Sequence, residues 1–176
     1  MIRSAPRLET ERLILRDFVR DDLDALAATL GDIEVVRHLT GEPINREDSL
    51  RRLFLAVGQW PTTGMGMWAV ERKSDGRLVG HVGFFDMQRE MQPSIMDLPE
   101  MGWIFDTSVH GQGIAHEACV AALAWLDATH GPVEVPAIIG LDNVASLKLA
   151  EKLGFVREPD AVYKGEPIAL VRRPRP

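Results

Sequence analysis

The chain has 176 residues, the length of one ordinary domain, and a formal net charge of −6. Hydrophobic residues make up 45% of it and charged residues 26%, which is sufficient for a real hydrophobic core. The negative charge argues against nucleic acid as a bulk electrostatic partner.

The single cysteine, Cys119, excludes an internal disulfide and suits a reducing compartment. The first residues lack the apolar core of a signal peptide, and no window holds the roughly 18 apolar residues that a membrane span needs. We therefore predict a cytoplasmic protein without a membrane span. No repeat or linker divides the sequence, so residues 1–176 are predicted to form one domain.

The first half predicts a strand, two helices and three more strands. Leu13 to Phe18 is a short apolar, β-branched run typical of a strand. Leucines at helical spacing precede Gly31, and a second helix is expected to begin at Asn45, a good N-cap.

Two strand-like runs, Met67 to Arg72 and Leu78 to Phe85, flank an Asp-Gly pair and predict a β-hairpin. Residues 87–97 are polar and rich in methionine, which favours a loop. Glu100 to Phe105 is the next predicted strand.

The second half predicts a long apolar helix from Gly113 to about His130. The remaining predicted elements, in chain order, are a strand over Val133 to Ile139, a helix over Asn143 to Leu153, and strands over Phe155 to Arg157 and Tyr163 to Arg172. This order predicts an α/β protein whose mixed sheet is covered by helices.

The most informative segment runs from His110 to Ala118, where two glycines stand just before the long helix. Glycines let backbone approach a ligand closely, and the first turn of a helix offers unpaired N–H donors. The pattern therefore favours a phosphate or pyrophosphate site. A plain turn that starts a helix is the alternative. A dinucleotide fingerprint fails where His116 replaces the third glycine, and no Gly-Lys-Ser/Thr of a P-loop follows.

Four segments resemble the GNAT superfamily of N-acetyltransferases. Glu100 to Phe105 resembles the splayed central strand of that family, and His110 to Ala115 resembles its acetyl-CoA pyrophosphate loop. Asn143 to Phe155 resembles its late helix with the Leu-Gly-Phe exit. Leu8 to Arg16 resembles the branch that includes ribosomal-protein N-terminal acetyltransferases. The resemblance extends over about residues 8–171, nearly the whole chain.

The resemblance implies a single-domain, mostly antiparallel sheet with helices on both faces. It also implies acetyl-CoA as acyl donor, direct transfer to an amine in a ternary complex, no metal, and a homodimer. The implied donor-binding residues are Ile104, Phe105, His110, Gly111, Gln112, Gly113, Ile114, Ala115, Asn143 and Ser146. The backbone N–H of Ile104 or Phe105 would stabilise the oxyanion.

The sequence departs from the family at two positions. His110 stands where the family usually has arginine or glutamine, which puts one side-chain contact to the pyrophosphate in doubt. Ala150 fills the position at which many members carry a tyrosine acid. The ribosomal branch typically lacks that tyrosine too, and has a serine where this chain has Ser146.

Three residues are catalytic candidates. Glu100 would be the general base, with an exposed strand-end carboxylate as the alternative reading. Ser146 would assist the leaving thiolate, or else only help Asn143 to cap its helix. Tyr163, the sole tyrosine, could protonate the thiolate, but it could equally be an ordinary strand aromatic.

The remaining candidates are expected to be structural. Cys119 is expected in the core rather than as a nucleophile, and the histidines lack metal-ligand spacing. Trp60 is expected mainly in the core, although Trp60 and residues 87–97 are the best candidates for contacts with the acceptor.

The acceptor itself stays open among a protein N-terminus, an amino acid, an aminoglycoside and a polyamine. A catalytically silent acetyl-CoA sensor is the alternative function, and a nucleotide-binding module is a weaker one.

Overall fold

The computed structural model describes residues 2–175. The helices are α1 (Leu23–Gly31), α2 (Ile33–Val36), α3 (Arg46–Thr63), α4 (Ile114–His130) and α5 (Val144–Lys152). The strands are β1 (Leu8–Glu9), β2 (Leu13–Arg16), β3 (Met67–Arg72), β4 (Arg77–Phe85), β5 (Glu100–Phe105), β6 (Val135–Gly140), β7 (Val156–Arg157), β8 (Ala161–Tyr163) and β9 (Glu166–Arg173). No helix in residues 2–175 is both long and apolar enough to cross a membrane.

The first sheet has the strand order β1-β2-β3-β4-β5, and every neighbouring pair is antiparallel. The predicted hairpin is confirmed: β3 and β4 are joined through Gly76, which has the positive φ of 68° that such turns favour. The register slips by one residue where Val70 pairs Gly80 and Glu71 pairs Leu78. Val79 is thus the extra residue of a β-bulge.

The second sheet is built around β9, which pairs antiparallel with β6, β7 and β8. The predicted single strand from Tyr163 to Arg172 is wrong, because the chain turns back at Lys164 and Gly165. Both residues have positive φ, 53° and 84°, as a two-residue type I′ hairpin turn requires. Lys-Gly lacks the Asn-Gly or Asp-Gly signature of such turns, so the hairpin was not visible in the sequence.

The two sheets meet at β5 and β6, which lie side by side in the fold. Within residues 2–175, β5 pairs only with β4, and β6 pairs only with β9. The facing edges of these two strands therefore carry backbone groups that no ladder uses. Helix α4 connects the end of β5 to the start of β6.

Helices cover both faces of the first sheet. On one face α4 packs against β2, β4 and β5 in the largest core cluster, and its Cys119 is fully buried. On the other face α1 and the first half of α3 pack around Phe18, Ala69 and Leu78. The predicted α/β fold with a mostly antiparallel sheet and helices on both faces is confirmed. Two short elements, β1 and α2, were not predicted.

Candidate functional site

The glycine loop makes a turn that leads directly into α4. Gly111 and Gly113 have φ of 74° and 76°, a left-handed conformation that side chains disfavour. Gly113 is the N-cap of α4 and provides no side-chain cap. The N–H groups of the first helical turn, at Ile114 and Ala115, therefore face outward without intrahelical partners. Such donors at a helix start are suited to a phosphate group.

Two polar side chains of the loop are used within the protein. The ring of His110 lies with Nε2 3.0 Å from the carbonyl oxygen of Phe105, at the end of β5. The Gln112 amide donates to the carbonyl of Ser108 over 2.7 Å, and its backbone N–H lies 3.4 Å from the carbonyl of Val109. The loop thus presents mainly backbone, and His110 does not take the place of an outward-facing arginine.

An ion pair joins the N-terminal segment to this loop. The Nε of Arg12 donates to Glu117 in the first turn of α4 over 2.6 Å, and its Nη1 donates to the carbonyl of Gln112 over 2.9 Å. Burial alone would raise the pKa of Glu117, but the hydrogen bonds from Thr10 and Arg12 together lower it below the ordinary value. Glu117 is therefore ionised at neutral pH.

A second polar link crosses between β5 and the start of α5. The Trp103 indole Nε1 lies 3.3 Å from Oγ of Ser146, to which it donates. Asn143 caps α5, because its Oδ1 accepts from the backbone N–H of Ser146 over 3.1 Å. The Ser146 hydroxyl itself takes no part in that cap. Its oxygen is an acceptor for Trp103, so its proton is available to a ligand between the two elements.

Glu100 lies at the opposite end of β5 from the glycine loop and is only 3% exposed, so the alternative of an exposed carboxylate is wrong. Its Oε2 accepts from Nε of Arg89 over 2.6 Å. The Arg89 guanidinium lies 4.7 Å from the ring centroid of Tyr163 and 5.9 Å from that of Phe85. Glu100, Arg89 and Tyr163 thus form one cluster, and Ser146 has no contact with it in the described chain.

The pKa of Glu100 is raised above the ordinary value for glutamate. Burial is the largest cause, and the hydrogen bond and charge of Arg89 oppose it only in part. A buried carboxylate with a raised pKa is a more effective proton acceptor than an exposed one, which is the property that a general base needs.

A cavity of about 500 Å³ opens between the start of α3 and Met87. Its wall combines apolar side chains, such as Ile44 and Leu55, with the charged side chains of Asp48 and Arg52. Trp60 does not reach it. That tryptophan is fully buried, packs against Trp68 and Trp125, and donates to the carbonyl of Met67. The prediction that Trp60 contacts the acceptor is therefore wrong.

The loop over residues 87–97 is confirmed as irregular, and it is anchored at Met91 and Ile95, which are buried against β8 and β9. Sequence reasoning missed Arg89 and Trp103 as partners of the candidate residues. Neither lies in a recognisable motif, and only the packing of distant segments brings them to the site.

In residues 2–175, no cluster of histidine, cysteine and carboxylate side chains is placed to hold a metal.

Comparisons with known proteins identify the family. Residues 12–156 match the acetyltransferase (GNAT) domain. The uncharacterized N-acetyltransferase YoaA of Bacillus subtilis is 29% identical over 156 residues, covering 87% of this chain and 84% of YoaA. A structure from Bordetella pertussis described as a GNAT-family acetyltransferase is 28% identical with a TM-score of 0.83, over 96% of this chain and 99% of that one.

A third similar structure is that of RimL, the ribosomal L7/L12 α-N-protein acetyltransferase, in complex with coenzyme A. It has a TM-score of 0.78 over 97% of this chain and 98% of its own, and at 15% identity it shows the shared fold alone. The family match spans the glycine loop, β5, β6 and all of α5, so the elements that build the site are those of the family. This chain belongs to the GNAT acetyltransferase family.

Proposed function

We propose that the chain is one acetyl-CoA-dependent N-acetyltransferase domain that transfers the acetyl group directly to a primary amine. The observation that carries the proposal is the glycine loop at Gly113, which opens α4 directly after β5, the strand whose edge beside β6 is unpaired in residues 2–175. The diphosphate of acetyl-CoA would bind the backbone donors at the start of α4. The thioester would then lie along the unpaired edge of β5.

The donor arm would be held between β5 and α5. Asn143 caps α5, and Ser146 at the same helix start accepts from Trp103 of β5, so the start of α5 lies beside β5. In this arrangement a backbone N–H near Ile104 or Phe105 would donate to the oxygen of the thioester as negative charge develops on it.

The transfer step needs a base and a donor for the leaving group. The amine nitrogen attacks the thioester carbon, so that a C–N bond forms and the C–S bond breaks. The proton lost by the amine would pass to Glu100 through water, since Glu100 lies at the other end of β5 from Ile104 and Phe105, and the sulfur would leave as the thiolate of CoA. Ser146 would donate a hydrogen bond to that sulfur, at the positive end of α5. Tyr163 is the second candidate donor.

The acceptor would approach from the cavity beside α3. This cavity is bordered by Met87, two residues before Arg89, and Arg89 in turn is paired with Glu100. The RimL structure belongs to an α-N-protein acetyltransferase. A protein N-terminus is accordingly the first acceptor to test, ahead of free amino acids, aminoglycosides and polyamines. A cytoplasmic location and a homodimer stay predictions, to be checked by fractionation and light scattering.

Two measurements test the proposal. Acetyl-CoA at 100 times its dissociation constant should stabilise the fold by about 2.7 kcal/mol, seen as a rise in melting temperature. An acceptor panel should then identify an amine that releases free CoA thiol. No thermal shift at millimolar acetyl-CoA would contradict the proposed donor site. Tight binding without thiol release from any amine would instead indicate an acetyl-CoA sensor.

A further inference from the structure

Arg12 and Arg16 both belong to the segment Leu8 to Arg16, which the proposed reaction does not use. Arg16 has an evident structural role, since its guanidinium pairs with the buried carboxylate of Asp22 and with Glu71. Arg12 instead lies where the chain turns from β1 into β2, and it reaches across to the glycine loop. The two arginines therefore differ in function.

The Arg12 side chain is held rigidly by α4. Besides its Nε bond to Glu117, the backbone N–H of Arg12 donates to the same carboxylate over 2.9 Å. Thr10 adds a hydroxyl donor to Glu117 over 2.5 Å. These bonds fix the guanidinium against the first turn of α4, where its Nη1 holds the carbonyl of Gln112. An arginine that is fixed before ligand binding loses little side-chain entropy when the ligand arrives.

One nitrogen of Arg12 is left over. Nη2 has no hydrogen-bond partner among the described residues, and 44% of the side chain is exposed. A Cβ placed on Gly113 would lie only 3.6 Å from Nη2, and within 4 Å it would meet no other atom. The free donor therefore borders the space beside Gly113, at the start of α4 where the first-turn N–H groups have no intrahelical partners.

The glycine loop itself has no cationic side chain that could pair with the two negative charges of a diphosphate. Residues 110–116 contain no lysine or arginine, and the ring of His110 is bound to the carbonyl of Phe105. Backbone N–H groups and the helix dipole supply partial positive charge only. The guanidinium of Arg12, whose charge is shared with Glu117, would add a directed, charge-assisted hydrogen bond from Nη2 to phosphate oxygen.

We propose that Arg12 is a further donor-binding residue, whose Nη2 contacts the diphosphate of acetyl-CoA while Nη1 and Glu117 hold the glycine loop in shape. This inference rests on the proposed function, because it assumes that acetyl-CoA occupies the loop. It assigns a binding role to the N-terminal segment, which lies about 100 residues before the loop in sequence.

The test is calorimetric titration of CoA into the full chain and its variants. Arg12→Gln should weaken CoA binding about 10-fold or more, because a hydrogen bond between charged groups is lost. The matched control is Arg157→Gln, which removes the same charge from a surface pair with Asp160 in the second sheet. It should stay within about twofold of wild type.

Two further readouts separate ligand contact from a purely structural role. Binding by Arg12→Gln should weaken less steeply with added salt than binding by wild type, since one ionic contact is gone. The loss should be the same with 3′-dephospho-CoA, which retains the diphosphate. A loss that disappears with dephospho-CoA would move the contact to the 3′-phosphate and overturn the assignment.

The outcomes distinguish this inference from the proposed function. If wild type does not bind CoA, the proposed donor site fails first. If wild type binds and a folded Arg12→Gln binds equally well, only the role of Arg12 is overturned. If Arg12→Gln does not fold, Arg12→Lys takes its place, because lysine keeps the charge but cannot bridge Glu117 and Gln112 at once. If Arg12→Lys binds CoA as tightly as wild type, the proposal is also overturned.

Discussion

The two ends of β5 are built in different ways. At the Phe105 end the site consists of backbone: two left-handed glycines, the first turn of α4 and the carbonyl of Gln112 held by Arg12. At the Glu100 end it consists of side chains, where a buried carboxylate, Arg89 and the ring of Tyr163 come from three separate segments.

This difference agrees with what each end would bind in the proposed reaction. A diphosphate is the same in every donor molecule, and backbone donors fixed by glycine geometry, with Arg12 beside them, would bind it. The other end would accept a proton and recognise an amine, for which the environment of a particular carboxylate must be adjusted. Donor binding and catalysis should therefore be separable by mutation, and the following predictions test that separation.

The largest effect is expected for Glu100→Gln. The amide keeps the shape of the side chain and can still accept from Arg89, but it cannot take a proton, so turnover should fall about 10²–10⁴-fold. Affinity for acetyl-CoA should not change. Because burial raises the pKa of Glu100, wild-type turnover should decline on the acidic side at a pH above the ordinary glutamate value. The variant should lack that limb of the pH–rate profile.

The control for this variant is Glu71→Gln, which makes the same substitution in an ion pair of the same geometry. Oε2 of Glu71 accepts from Nε of Arg16 over 2.7 Å, and among the described residues Glu71 makes no hydrogen bond to Glu100, Arg89 or Tyr163. Glu71→Gln should lower the stability of the fold without the loss of turnover expected for Glu100→Gln. Unchanged turnover of Glu100→Gln between pH 6 and 9 would assign deprotonation to another group or to bulk water.

The next effect concerns the other end of β5. Gly113→Val should weaken CoA binding at least about 100-fold, because it strains a residue with φ of 76° and disturbs two or more donors to phosphate. Gly76→Val is matched to it: the φ is 68°, no atom lies within 4 Å of an added Cβ, and the residue lies in the β3–β4 turn. Gly76→Val should lose about as much folding stability as Gly113→Val but bind CoA normally. Normal CoA binding by a folded Gly113→Val would exclude the loop as the phosphate site.

A smaller loss is expected for Ser146→Ala. Removing the hydroxyl donor to the thiolate should lower the single-turnover rate about 10- to 100-fold, at or below the low end of what one preorganised donor contributes. Affinity for acetyl-CoA should stay within a few fold. Since Asn143 caps α5 without that hydroxyl, the melting temperature should change little. A slow Tyr163→Phe beside a normal Ser146→Ala would assign the role to Tyr163 instead.

The smallest effect is expected for Trp103→Phe, which removes the indole N–H that orients Ser146. The rate should fall about 3- to 10-fold, the equivalent of one ordinary hydrogen bond. Trp103→Phe in the Ser146→Ala background should then have no further effect on the rate, because the two residues act as one unit. Additive losses would show that the contact between them does not matter for transfer.

The sequence by itself determined the fold class, the hairpin at Gly76, both N-caps at Asn45 and Asn143, and the glycine turn into α4. All of these depend on local rules: hydrophobic periodicity, capping and the conformational freedom of glycine. Such rules act between residues close in the chain, so they can be read without knowledge of the rest of the molecule.

Only the tertiary structure decided the surroundings of the candidate residues. Glu100 lies at a strand end in sequence, yet it is buried because the loop carrying Arg89 folds over it. Trp60 could have faced a ligand, but it packs with Trp68 and Trp125. Arg12 contacts Gln112, which lies 100 positions later in the chain. The burial and charge around a side chain are set by segments distant in sequence, and no local pattern specifies which of them will meet.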